Sequence, residues 1–133
     1  MDGVFLFKIL PGQPEEPRNV QITAVATTQL RIHWRVGLSG GSRLTFSVHY
    51  KAKGEMQEHF WETNIFNPGY GQEVNFLITD LEPDTKYEVY VRSINQLQLG
   101  QNWANSEIMT IKTRGKTFYY TVNYSMIILL TLA

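Results

Sequence analysis

Three histidines, an alternating acidic turn and two short basic runs carry the most obvious chemistry in this 133-residue chain. His33, His49 and His59 fit no metal-ligand spacing such as H-E-x-x-H, where two imidazoles one helical turn apart share a face. Asp80, Glu82 and Asp84 in "DLEPD" alternate as the ligands of a calcium loop do. Such a loop needs glycine at its sixth position for the sharp turn and a bidentate glutamate at its twelfth. Those positions hold Thr85 and Val91, so the stretch reads as a solvated turn. Lys112, Arg114 and Lys116 alternate along one segment, and Lys51 and Lys53 along another. Such a face either meets heparin-like polyanions or keeps a strand edge charged and solvated, and the second reading is preferred. The chain has no phosphate-cradling glycine loop. It has no cysteine, which removes thiolate ligands, cysteine nucleophiles and disulfides together. No catalytic residue, metal ligand or cofactor site is expected.

Composition narrows the field further. Twelve Lys+Arg balance twelve Asp+Glu, so no global field draws the chain to nucleic acid. Apolar residues at 43% and charged residues at 18% describe a globular chain of about one domain. The ends differ from the middle. "MDGVFLFKILPGQ" lacks the basic start and the cleavage site of a secretory signal, and "PGQPEEP" with its three prolines reads as an extended linker. The last sixteen residues, "FYYTVNYSMIILLTLA", carry no formal charge. Two readings stay open there, a membrane span cut short, since a spanning helix needs about 20 residues, or a β-prone apolar tail. The sole N-glycosylation sequon, Asn123-Tyr124-Ser125, lies in that tail. The expected organisation is an extension at 1–13, a module at 14–114 and a tail at 115–133.

The elements that must position any site are strands. Period-two alternation recurs through the module, and no stretch keeps helical periodicity for three turns. "LRIHWRV" sends Leu30, Ile32, Trp34 and Val36 to one face and Arg31, His33 and Arg35 to the other. "LTFSVHY" does the same with Leu44, Phe46, Val48 and Tyr50 against Thr45, Ser47 and His49. "VQITAV", "HFWET", "EVNFLI", "YEVYV" and "EIMTIKT" supply the rest, with "GLSGGS" and "NPGYG" as turn signals. Seven short strands in about a hundred residues predict an all-β, seven-stranded antiparallel sandwich. Tyr87 sits where the "DLEPD" turn meets a strand. There its ring would cover the core while its hydroxyl bonds backbone a few residues upstream. Leu81 would plug the end of the core, and Trp34 would organise the two facing sheets.

Leu81-x-Pro83-x-Thr85-x-Tyr87-x-Val89-x-Val91, followed by Asn95, resembles the signature of the immunoglobulin-like fibronectin type III module. Pro17, Val20 and Ile22, then Leu30-x-Ile32-x-Trp34, then Phe46-x-Val48-x-Tyr50, are similar to its first three strands. One departure is "QLQL" before Gly100, where the family has an earlier glycine, so the loop between the last two strands should be long. "WANSE" lacks the second tryptophan of the cytokine-receptor WSxWS box, and that branch's paired cysteines are missing.

The resemblance implies a non-enzymatic binding or spacing module of a larger cell-surface receptor or adhesion protein. Its setting would be extracellular, beside neighbouring modules, with a protein partner and with membrane contact only through the tail. The alternative is a cytoplasmic structural module of a cytoskeletal or muscle-type protein. In the resembled architecture the loops after the second, fourth and sixth strands share one end. Here they carry Phe66, Tyr70 and Trp103, aromatics that alternation leaves outside the core. Aromatic anchors beside Gly, Ser and Asn are what recognition surfaces use, so these three are the expected partner contacts. Trp103 has a second reading, as a cover for one edge of the core.

Overall fold

A computed structural model describes residues 12–63, 65–97, 101–122 and 126–131, with side chains over 12–59, 65–97 and 101–116. The extension 1–11 and the sequon Asn123-Tyr124-Ser125 lie outside the described residues. β1 (Arg18–Ala26), β2 (Gln29–Arg35) and β5 (Glu73–Ile78) form one antiparallel sheet in the order β1-β2-β5. β3 (Leu44–Ala52), β4 (His59–Thr63), β6 (Lys86–Asn95) and β7 (Trp103–Asn105) form the other in the order β4-β3-β6-β7, and β8 (Met109–Lys112) also pairs with β6. The alternation read from the sequence is the alternation observed. In the first sheet Leu30, Ile32 and Trp34 stand opposite Ile78, Phe76 and Val74. In the second, Phe46, Val48 and Tyr50 stand opposite Ser93, Val91 and Val89.

These inner faces close on each other. Trp34 is fully buried and meets Phe46 edge to face, with ring centroids 5.3 Å apart at 63°. The offset geometry suits the ring quadrupoles and locks one sheet's register against the other. Leu81 is buried at the end of this core and donates its amide to the Thr28 carbonyl at 3.0 Å. Tyr87 is buried too, and its hydroxyl accepts the Glu82 amide at 2.8 Å, five residues upstream. The Thr113 hydroxyl finishes the corner by donating to the Glu82 carbonyl at 2.6 Å and accepting the Thr85 amide at 3.0 Å.

The opposite end is held by Asn95. Its buried Nδ2 donates to the Gly12 carbonyl at 2.9 Å and the Ser39 carbonyl at 2.8 Å, while its Oδ1 accepts the Leu97 amide at 3.2 Å. Gly40 must be glycine here. Its φ is +77°, and a Cβ would sit 2.7 Å from the Gln13 carbonyl oxygen and 2.8 Å from Asn95 Nδ2. One expectation shifts. The final strand is interrupted, because Ser106 leaves the ladder between β7 and β8, donating its amide to the Val91 carbonyl at 2.8 Å. Its hydroxyl accepts the Val91 amide at 2.9 Å, replacing a strand carbonyl with a side chain. Trp103, read from sequence as a loop residue, therefore opens β7 opposite Ile94. Beyond β8, β9 (Thr117–Val122) and β10 (Met126–Thr131) pair with each other as a separate two-stranded sheet.

Candidate functional site

Backbone hydrogen bonding brings the three expected loops to one end. The Val36 amide bonds the Gln72 carbonyl at 2.9 Å and the Gly71 amide returns to Val36 at 2.8 Å, joining the loop after β2 to the loop after β4. Asn95 and a bond from the Gln96 amide to the Ser42 hydroxyl at 2.9 Å join the loop after β6. On this base the three nominated aromatics have different surroundings. Phe66 is 81% exposed and bare. It lines a cleft of about 380 Å³ with Ser39, Ser42, Arg43, Leu44, Thr45, Ile65 and Asn67.

Tyr70 and Trp103 already hold cations. The Arg18 guanidinium lies 5.3 Å from the Tyr70 ring centroid and donates to its hydroxyl at 3.1 Å. The same guanidinium forks onto Glu15 at 2.9 and 2.7 Å. The Glu15 carboxyl lies below the usual range, held there first by the Leu38 amide at 2.7 Å and then by Arg18, against the effect of burial. Trp103 carries Arg92 over its ring at 4.4 Å, and Arg92 Nε donates to Asn105 Oδ1 at 2.8 Å. Trp103 is thus a half-exposed plate on the outside of the larger sheet, away from the core edge. No contact joins Phe66, Tyr70 and Trp103 to one another among the described residues.

A second polar group was missed from sequence. On the outer face of the larger sheet, Ser47 stands opposite Arg92 and His49 opposite Tyr90. The His49 ring stacks on Tyr90 with centroids 4.6 Å apart at 8°. Glu58 arrives from the turn after β3, its Oε1 lying 2.9 Å from His49 Nδ1 and 2.5 Å from the Tyr90 hydroxyl. His49 Nε2 lies 2.8 Å from Ser47 Oγ. A carboxylate only accepts, so His49 Nδ1 carries the proton and Nε2 accepts from Ser47. His49, read from sequence as an outward-facing residue, does face outward, yet it is buried beneath this cluster.

Electrostatics follow from the packing. Burial, then the Arg92 charge, holds His49 below the ordinary histidine value against the pull of Glu58. Burial alone would raise Glu58, but the Tyr90 hydrogen bond, His49 and Arg92 bring it below the usual carboxylate range. Tyr90 is pushed up to about 12, first by burial and then by Glu58. The order serine, histidine, carboxylate is that of an activated nucleophile. Its setting is not, because Ser47 is 3% exposed. β3 is also paired on both sides at that point, with Glu62 and with Arg92, so its amides serve the ladders instead of an oxyanion hole. The group acts as a clasp that ties the turn after β3 to the sheet.

The remaining expectations can be placed. His33 pairs with Gln21 and Asn75 in the smaller sheet, so it does not converge with His49. Among the described residues, no three His, Cys, Asp or Glu side chains are arranged to hold a metal. Lys112 is bonded to Asp84 at 2.7 Å and Lys51 lies 3.9 Å from Glu88, so two of the five nominated basic residues are already paired. No helix among the described residues is long and apolar enough to cross a membrane. The missed cluster had one weak signal in the sequence, the outward Ser47 and His49 on one strand and outward Tyr90 and Arg92 on another.

A family model for the fibronectin type III domain matches residues 15–110. The chain is 30% identical over 100 residues to the oncostatin-M-specific receptor subunit beta of Rattus norvegicus, 73% of this chain and 10% of that one. It is 30% identical over 105 residues to protein turtle homolog B of Mus musculus, 79% of this chain and 7% of that one. Nephrin of Homo sapiens is 26% identical over 86 residues, 65% of this chain and 6% of that one. The chain thus spans a tenth or less of the length of these relatives. Among solved structures, the FN5 domain of Drosophila Lar matches with a TM-score of 0.52 and 24% identity, over 80% of this chain and 99% of that one. A structure called "Myokine structure" matches with a TM-score of 0.56 and 24% identity, over 75% and 97%. Both show likeness of fold.

Proposed function

This chain belongs to the fibronectin type III family, and on that premise we propose that it serves as a non-enzymatic protein-binding module of a larger cell-surface receptor or adhesion protein. The module occupies 14–114, with 115–133 as a segment apart from it, and stands among neighbouring modules outside the cell. One observation carries the reading. A clamped loop end presents Phe66 at 81% exposure, while the aromatics of the core are buried. A rigid scaffold holding an exposed aromatic among Ser, Thr and Asn is the arrangement from which binding hot spots are built. The name of the receptor-subunit relative supports the setting. The Ser47 environment described above supports a module that binds without catalysing.

The test is binding of the labelled chain to an array of extracellular protein domains, repeated with Phe66→Ala, Tyr70→Ala and Trp103→Ala. Phe66→Ala is expected to weaken a confirmed interaction by about tenfold or more while stability stays within about 0.5 kcal/mol. Tyr70→Ala and Trp103→Ala should act less on binding, because their rings already carry arginines. A partner that binds all three variants with unchanged affinity would move the site off this end.

A further inference from the structure

We infer that the cleft beside Phe66 takes an acidic side chain flanked by an apolar one, presented by a protein partner; this rests on the reading above that the loop end is the binding surface. The inference comes from comparing the three arginine–aromatic neighbourhoods. Arg18 at Tyr70 spends its charge on Glu15. Arg92 at Trp103 spends a donor on Asn105 and sits against the carboxylate of the Glu58 cluster. Arg43, at the Phe66 cleft, has neither a carboxylate nor a hydrogen-bond acceptor among the described residues. Among the described residues, no Asp or Glu lines the cleft.

The two lining serines have the same bias, whereas the Thr45 hydroxyl donates to the Ile94 carbonyl at 3.4 Å. The Ser42 oxygen is occupied by the Gln96 amide at 2.9 Å and the Ser39 oxygen by the Gly41 amide at 3.3 Å. Each hydroxyl keeps its proton to donate. The cleft therefore offers a guanidinium and two hydroxyl donors over an apolar floor of Ile65 and the exposed Phe66 ring. An exposed ring alone could take a partner's cation, as Tyr70 and Trp103 take those of this chain. Arg43 in the same cleft repels a cation and selects its opposite. A carboxylate satisfies Arg43 in a forked geometry, and the adjacent apolar side chain covers Phe66.

The experiment uses two blocked dipeptides of the same shape, N-acetyl-Leu-Asp-N-methylamide and N-acetyl-Leu-Asn-N-methylamide, titrated into the isotopically labelled chain and followed by amide chemical shifts. Saturable shifts are expected at residues 42–45 and 65–67, with the aspartyl peptide about threefold to tenfold tighter than the asparaginyl one. Arg43→Gln should erase that difference, and 0.5 M salt should shrink it. Phe66→Ala should weaken both peptides alike. Equal affinity of the two peptides, or a preference untouched by Arg43→Gln, overturns the acidic partner while leaving the loop end as a surface. Shifts confined to other residues, or no saturable shift up to tens of millimolar peptide, overturn both. Retained spectral dispersion in each variant shows that the fold persists.

Discussion

Asn95→Ala removes a side chain that makes three hydrogen bonds at 2.8–3.2 Å from a site only 2% exposed. Each bond contributes about 1 kcal/mol net, and each stranded group costs about 1–3 kcal/mol where water cannot replace the partner. The Gly12 and Ser39 carbonyls and the Leu97 amide lie at the end of the sandwich, where partial rehydration follows the loss. The expected destabilisation is therefore about 3–5 kcal/mol, at the upper end for a single substitution. Asn95→Asp sharpens the test because it keeps the shape and the acceptor for Leu97 but turns the donor toward two carbonyls into a charged acceptor. It should be worse than alanine near neutral pH by about 1–2 kcal/mol. It should also recover on acidification. The buried aspartate's folded pKa is raised above its unfolded value, so its penalty is absent below the unfolded value and grows as pH rises toward the folded one. The assay is urea unfolding of the three proteins, comparing midpoints at constant m. If Asn95→Ala lies within about 0.5 kcal/mol of the parent, the loops hold without the clamp and the reasoning fails.

Tyr87→Phe strands the Glu82 amide and should cost about 1–3 kcal/mol; a midpoint identical to the parent's would count against the corner. Ser93→Ala should be neutral or stabilising by up to about 1 kcal/mol, because the fully buried Ser93 hydroxyl has no hydrogen-bond partner among the described residues. A clear loss of stability would show that the hydroxyl is in fact satisfied. His49 has a folded pKa below its ordinary 6.5, so the stability tied to its neutral form is full above that value. That stability falls as pH drops below it, and protonation of Glu58, whose folded pKa is also lowered, adds a loss of the same sign at lower pH. In His49→Gln the first of these steps should vanish from a plot of unfolding free energy against pH; its persistence would assign the step to another group. Trp34→Ala opens a cavity between the sheets and should cost about 3–5 kcal/mol by the same denaturation measurement, whereas a loss below about 1 kcal/mol would mean that the ring does not bridge them.

Alternation alone placed the core. Leu30, Ile32, Trp34, Phe46, Val48, Tyr87, Val89 and Val91 point inward because a strand has a period of two and water rejects apolar faces. The Tyr87 corner was equally legible, since a turn of Asp and Pro followed by a tyrosine is a local pattern whose hydrogen bond spans five residues. Register was not legible. A period of two assigns each residue a face but does not say which residue of the neighbouring strand stands opposite. That choice put Tyr90 beside His49 and Arg92 beside Ser47. The turn after β3 then delivered Glu58 to the pair, a contact spanning 32 residues at Tyr90. The same limit governed the nominated aromatics. Exposure of Phe66, Tyr70 and Trp103 followed from their failure to alternate with the core, but their different partners depended on long-range approach. Arg18 reaches Tyr70 across 52 residues, and the break at Ser106 turns the Trp103 segment into a strand whose pairing with β6 sets its ring under Arg92. Among the described residues Arg43 has no acidic partner, because none of them lining the cleft is Asp or Glu, and only tertiary structure forms that cleft.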